Sequence, residues 1–199
     1  MDYVEHLSRD RRLNKILLHQ DAVTLRREKN LCLYLCYSIM SQQLSVKVAA
    51  VFHQRFVDLF DGKEPSAAMV AATPFEVLRS IGLSNAKAQY VLNVANFELE
   101  NGMGYKKLQA MSDQDVIQYL TQIKGVGRWT VEMLLMFALG REDVFPADDL
   151  GIQQAMIRLY AIPTEDKKIF RKKMETIAAK WSPYRTYACI HLWRHKDIK

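Results

Sequence analysis

The chain is poor in the residues that staple a fold or mark an export route. Three cysteines among 199 residues cannot all pair. A chain of this size buries enough surface to fold without disulfides, so a reducing setting is expected, cytoplasmic (nucleoid-associated in a bacterium) or nuclear. The opening stretch MDYVEHLSRD lacks a basic segment followed by an apolar one, which argues against secretion. The longest apolar run, VEMLLMFALG, is about half of what a membrane span needs. No internal repeat, low-complexity linker or convincing strand alternation is present. What remains is an ordinary globular composition, 49% apolar and 25% charged. The net charge of +6 and a pI near 9.2 permit a polyanionic partner without requiring one.

The eight glycines and five prolines punctuate blocks of roughly 10 to 20 residues that carry helical period. From Leu31 to Phe60 apolar residues recur at steps of three and four, broken only at SQQLS. TPFEVLRSIG reads as a short helix with Pro74 in its first turn and Gly82 at its end. SNAKAQYVLNVANFELENG begins with Ser84 as cap and stops at Gly102. In SDQDVIQYL, Ser112 precedes Asp115 by three residues, close to a capping box. Phe170, Met174, Ile177 and Trp181 repeat the pattern with lysines opposite, a face that reads as solvated. The fold class is therefore all-α.

LTQIKGVGRWT joins two such helices, the first ending near Gln122 and the second starting at RWTVEMLLMFAL. Val131, Met133, Leu134, Leu135, Phe137 and Ala138 cover nearly the whole circumference of the second helix, which predicts deep burial. Gly125 and Gly127 allow positive φ and carry no Cβ to hold a ligand away. Amides at the start of the second helix, with the dipole behind them, make an anion site, flanked here by Lys124 and Arg128. On these residues alone, a plain corner between helices is an equal reading. His191 and His195, four apart, lack a third metal ligand.

The full pattern L-x-x-I-x-G-V-G-x-x-T resembles the helix-hairpin-helix motif of DNA repair proteins. Some twenty residues further, DVFPADDLGIQQAM resembles the Gly/Pro-rich loop and aspartate of the helix-hairpin-helix DNA glycosylase superfamily. SIMSQQLSVKVAAVF, GLSNAKAQYVLNVA and WSPYRTYACIHLWRH resemble its 3-methyladenine DNA glycosylase II branch, in the right order from about Leu31 to Trp193. The N-terminal β domain of the larger members has no room in this chain. The resemblance implies two helical lobes with a DNA-binding cleft. One lobe covers 30–140 and ends in the hairpin; 1–29 and 141–199 form the other, with Asp149 facing the hairpin. It implies a monomer acting on double-stranded DNA that contains alkylated bases.

Carried over by residue, the resemblance makes Asp149 the catalytic aspartate, with Asp148 as cap or phosphate-side support. A carboxylate at a helix N-terminus is favoured by the dipole, and a fixed anion stabilises the oxocarbenium character that builds on the sugar. The same group can orient or deprotonate the attacking water. Trp129 and Trp193 match aromatic positions of the family's base pocket, and an indole face suits a cationic alkylated purine. Met133 stands where the best-known bacterial relative has tyrosine, which leaves the substrate range open. Gln42 or Gln43, with Leu44 as alternative, falls where the family places the wedge that fills the gap left by a flipped nucleotide. Lys124, Gly125, Val126, Gly127, Arg128 and Thr130 make up the set that binds the DNA backbone. Backbone carbonyls of Thr121, Ile123 and Val126 could hold a monovalent cation. In members that also nick DNA, a lysine of the hairpin forms a Schiff base; that position is Trp129 here, which implies a monofunctional enzyme. An iron–sulfur cluster would need four closely spaced cysteines, whereas Cys32, Cys36 and Cys189 are all there are. Two other readings stay open: a non-enzymatic helix-hairpin-helix module, and a glycosylase of another damaged base.

Overall fold

The computed structural model describes residues 2–197, and among these there is no strand. The helices are α1 (Tyr3–Leu7), α2 (Arg11–Leu17), α3 (Leu31–Ser41), α4 (Val46–Asp58), α5 (Ala67–Ala71), α6 (Phe75–Ser80) and α7 (Asn85–Asn101). They continue with α8 (Tyr105–Ala110), α9 (Asp113–Leu120), α10 (Arg128–Phe137), α11 (Leu150–Tyr160), α12 (Lys167–Ala178) and α13 (Arg185–Asp197). None of them is long and apolar enough to cross a membrane.

Side-chain caps decide where most of these helices begin. Ser45, Ser66, Ser84 and Ser112 each accept the amide three residues on, as Asn30, Asp149 and Asp166 do for α3, α11 and α12. Each such bond satisfies an amide that the first turn cannot pair internally. Ser112 also donates to Asp115 Oδ2 at 2.6 Å. At its far end α7 stops on Gly102, whose φ of +71° is a left-handed value that ends helices readily.

Two compact units result, one spanning Arg27–Leu134 and the other combining the segment through Arg26 with the segment from Leu135 onward. In the first, α3 is buried on nearly every side, including Leu35, Cys36, Ile39 and Met40 with no exposed surface. Helix α7 packs against α3, α5 and α6 through its Ala88, Val91, Val94 and Ala95 face. Cys32 and Cys36 are small residues of this core.

In the second unit, α13 packs against α11 and α2. Two polar hubs, one half-buried and one buried, tie the N-terminal helices to the C-terminal ones. Asp10 accepts from Trp181 Nε1 (3.1 Å), Tyr160 Oη (2.8 Å) and the amides of Arg12 and Leu13. Burial alone would raise its pKa, but these four donors outweigh it and hold the carboxyl below the usual range. His191 places Nδ1 2.8 Å from Gln20 Oε1 and Nε2 3.5 Å from Tyr3 Oη, which itself accepts the Val23 amide at 2.6 Å. Burial, helped by the nearby Arg194 charge, pushes the His191 imidazole down to about 4.

A folded-state pKa below the unfolded value means that protons favour the unfolded chain. The contribution of His191 is thus complete above about 6.5 and is lost as pH falls toward about 4. His191→Gln is expected to flatten the decline of the thermal midpoint across that window. A decline as steep as that of the wild type would assign it to other groups.

Candidate functional site

Helix α9 closes at Leu120, and the turn that follows is built by Ile123 N donating to Leu120 O (3.1 Å) and Val126 N to Ile123 O (2.9 Å). Ile123 and Val126 are buried and anchor the turn, while Lys124 points to solvent. The Lys124 carbonyl accepts Asn93 Nδ2 at 3.0 Å, fastening the turn to α7.

The two glycines differ. Gly125 has φ of +106°, and a Cβ there would sit 2.2 Å from Tyr90 Cγ. Gly127 does not use the positive φ that glycine allows, and its missing Cβ would enter open space. Gly125 is therefore demanded by the fold, whereas nothing in the surrounding protein demands Gly127. Arg128 Nε bonds Glu132 Oε1 at 2.9 Å, with Glu132 nearly buried. Thr130 is also buried, so its side chain is not on the surface of α10.

The predicted burial of α10 holds for Val131, Met133, Leu134, Leu135 and Ala138 but not for its whole circumference. Trp129 is 45% exposed and Phe137 37% exposed. With Met133 they stand at four-residue steps and so share one helix face. The Met133 carbonyl accepts Tyr34 Oη at 3.1 Å, and burial pushes that phenol up to about 12.

In SQQLS, Gln42 follows the end of α3, Gln43 is exposed with φ of +60°, and Leu44 is half-buried. Lys87 Nζ donates to the carbonyls of Met40 (2.9 Å) and Gln42 (2.7 Å), which pins the loop to α7. Nothing in the sequence marks Lys87 for this task, because its acceptors are backbone atoms.

Asp149 is itself the cap of α11. Its Oδ1 accepts Ile152 N at 2.8 Å and Trp193 Nε1 at 2.8 Å. Asp148, expected as cap or phosphate-side support, does not cap α11 and pairs with Arg171 on α12. The indole of Trp193 is thus held against a carboxylate 44 residues away in the chain. Its ring lies 5.8 Å from that of Phe137, tilted by 32°.

Gly151 makes this arrangement possible. A Cβ there would lie 2.9 Å from Trp193 Cδ1 and 3.0 Å from both Trp193 Nε1 and Asp149 Oδ1. Sequence reasoning passed over Gly151, although a glycine in the first turn of an apolar helix costs up to ~1 kcal/mol and needs a reason. Gly151→Ala is expected to destabilise the protein by about 1–3 kcal/mol through overpacking. In a Trp193→Ala background the same substitution should cost almost nothing, which a double-mutant cycle in chemical denaturation measures. Equal costs in both backgrounds would remove the indole as the reason for the glycine.

Comparison with known proteins adds an independent line. Residues 36–180 match the family described as HhH-GPD superfamily base excision DNA repair protein. A Bacillus subtilis protein is 32% identical over 169 residues, which make up 82% of this chain but 57% of that relative's own length. DNA-3-methyladenine glycosylase 1 of Schizosaccharomyces pombe is 36% identical over 163 residues, covering 81% of this chain and 70% of the relative. The solved structure of the S. pombe 3-methyladenine DNA glycosylase with abasic DNA superimposes with a TM-score of 0.82 at 31% identity, covering 98% of this chain and 96% of that one.

Proposed function

Since this chain belongs to the HhH-GPD superfamily of base excision DNA repair proteins, we propose that it is a monofunctional DNA glycosylase that hydrolytically excises alkylated purines of the 3-methyladenine type. The observation that carries this reading is the Asp149 carboxylate at a helix N-terminus, where it accepts the Ile152 amide and the Trp193 indole N–H.

The target nucleotide must leave the stack before Asp149 can reach its sugar, at a cost of a few kcal/mol, less at a damaged pair. Gln43, exposed at a left-handed backbone position, is the residue best presented to fill the gap. Gln42 and Leu44, both half-buried, are the alternatives. The flipped base gains about 1–3 kcal/mol by stacking on an aromatic face, the role given to Trp129 and Trp193 with Met133 beside Trp129 on α10.

As the bond from C1′ to the base nitrogen breaks, its electron pair leaves with the base. A cationic alkylpurine departs as a neutral molecule. The positive charge left on the sugar is stabilised by Asp149, and water adds its oxygen to C1′ while the carboxylate takes the proton. Trp129 offers no amine, so no imine forms and the strand stays intact.

The hairpin supplies grip on a phosphate. The helix N-terminus of α10 favours an anion through its dipole, and the open side of Gly127 lets a backbone come close. Lys124 and Arg128 add charge. A monovalent cation at the carbonyls of Thr121, Ile123 and Val126 belongs to the same proposal. The Ile123 carbonyl keeps one lone pair after accepting from Val126.

Duplexes carrying 3-methyladenine, 7-methylguanine, hypoxanthine or an etheno adduct, scored for free base, test the reading. Release of 3-methyladenine without a borohydride-trapped adduct is expected. Binding without any base release would leave a non-enzymatic module, and a trapped adduct would replace hydrolysis with lyase chemistry.

A further inference from the structure

The unit that carries Asp149 has a recessed surface at the other end of α11. This helix has 11 residues and is therefore about 16 Å long. Asp149 caps its start; Tyr160 ends it and lines two adjoining cavities of 390 and 430 Å³. Ile177 lines both as well, so the two cavities share a wall of Tyr160 and Ile177.

The first cavity has an aromatic floor of Tyr160 and Trp181 beneath Arg9, Arg11, Arg12 and Lys180. Its one carboxylate, Asp10, sets a single negative charge against these four cations, and the floor and two amides already occupy its oxygens. The Arg12 guanidinium lies 5.7 Å over the Tyr160 ring. The second cavity is walled by Ile162, Pro163, Ile169 and Ile177, with Lys172 and Lys173 on its rim. Ile169 is 53% exposed, an unusual position for an isoleucine on an otherwise lysine-rich helix. Among the described residues no carboxylate pairs with Arg11, Arg12, Lys172, Lys173 or Lys180.

We propose that this basic, apolar-floored groove docks a peptide segment that interleaves acidic with apolar side chains. Carboxylates would meet the arginines and lysines at the rim while apolar side chains fill the space over Ile169 and Ile177. A DNA duplex supplies phosphates but keeps its apolar groups in its grooves and base stack, so it has no projecting apolar side chain to fill the second cavity, and a free phosphate would use only the first. A preformed floor lowers the ordering cost of binding, since Asp10 already fixes Tyr160 and Trp181. The groove opens at the end of α11 away from Asp149, so a docked partner leaves the Asp149 end uncovered.

The test uses the full chain and three fluorescein-labelled probes: a short peptide alternating Asp and Glu with Leu and Phe, an equally charged peptide with Ser in the apolar places, and an undamaged duplex. Saturable binding of the first peptide, about tenfold tighter than the second, is expected. Arg11→Glu and Ile169→Glu, one in each cavity and both at exposed positions, should each weaken it about tenfold. Base release from methylated DNA should remain at the wild-type rate in both variants, which separates this inference from the proposed reaction. Equal affinity for the two peptides, no saturable binding of either, or a silent Ile169→Glu would overturn it. Loss of duplex affinity in Arg11→Glu without loss of peptide affinity would make the face a DNA surface instead.

Discussion

Asp149→Asn is expected to slow single-turnover base release from methylated duplex DNA by about 10²–10³-fold while leaving the thermal midpoint and DNA affinity almost unchanged. The substitution isolates charge from structure. Asparagine is as good a helix cap as aspartate, and its Oδ1 can still accept from Ile152 N and Trp193 Nε1. What disappears is the anion that a developing oxocarbenium ion requires. Release at the wild-type rate would mean that Asp149 is only a cap. A large fall in thermal midpoint would instead show that the charge holds the start of α11 together.

Gly125→Ala is expected to be the most destabilising single substitution in the hairpin, by about 3 kcal/mol or more. Two penalties combine: a left-handed backbone that alanine disfavours, and a Cβ that lands on the base of the Tyr90 ring rather than on a mobile tip. Gly127→Ala should behave oppositely. Its φ suits alanine and the space is empty, so stability should stay within ~0.5 kcal/mol while affinity for DNA of any sequence falls. Denaturation curves for both variants, beside duplex titrations, check the contrast. If Gly127→Ala binds DNA normally, close approach of a phosphate backbone at this glycine is the wrong explanation.

Features written in adjacent residues were legible in the sequence. Ser84, Gly102 and Ser112 mark real helix ends because capping is local chemistry. The hairpin and the DD pair stood out for the same reason. Features that depend on distant partners were not. The roles of Asp148 and Asp149 could not be divided without knowing that Arg171 stands beside the first and Trp193 beside the second. Likewise, the two glycines of GVG look alike until Tyr90 is placed against one of them. The exposure of Phe137 was missed because apolar periodicity records what a helix carries and not how much of it finds a neighbour.

The hydrogen bonds of His191 to the N-terminal segment and of Asp10 to the C-terminal one have a consequence for synthesis order. Arg27–Leu134 is contiguous and can complete its core while the ribosome is still adding residues. The other unit draws on segments from either side of it, and Trp193, which bonds Asp149, follows that residue by 44 positions. Until then the N-terminal helices wait without α13, and Asp149 waits without its indole. The nascent chain therefore carries a finished hairpin well before Asp149 can pair with Trp193.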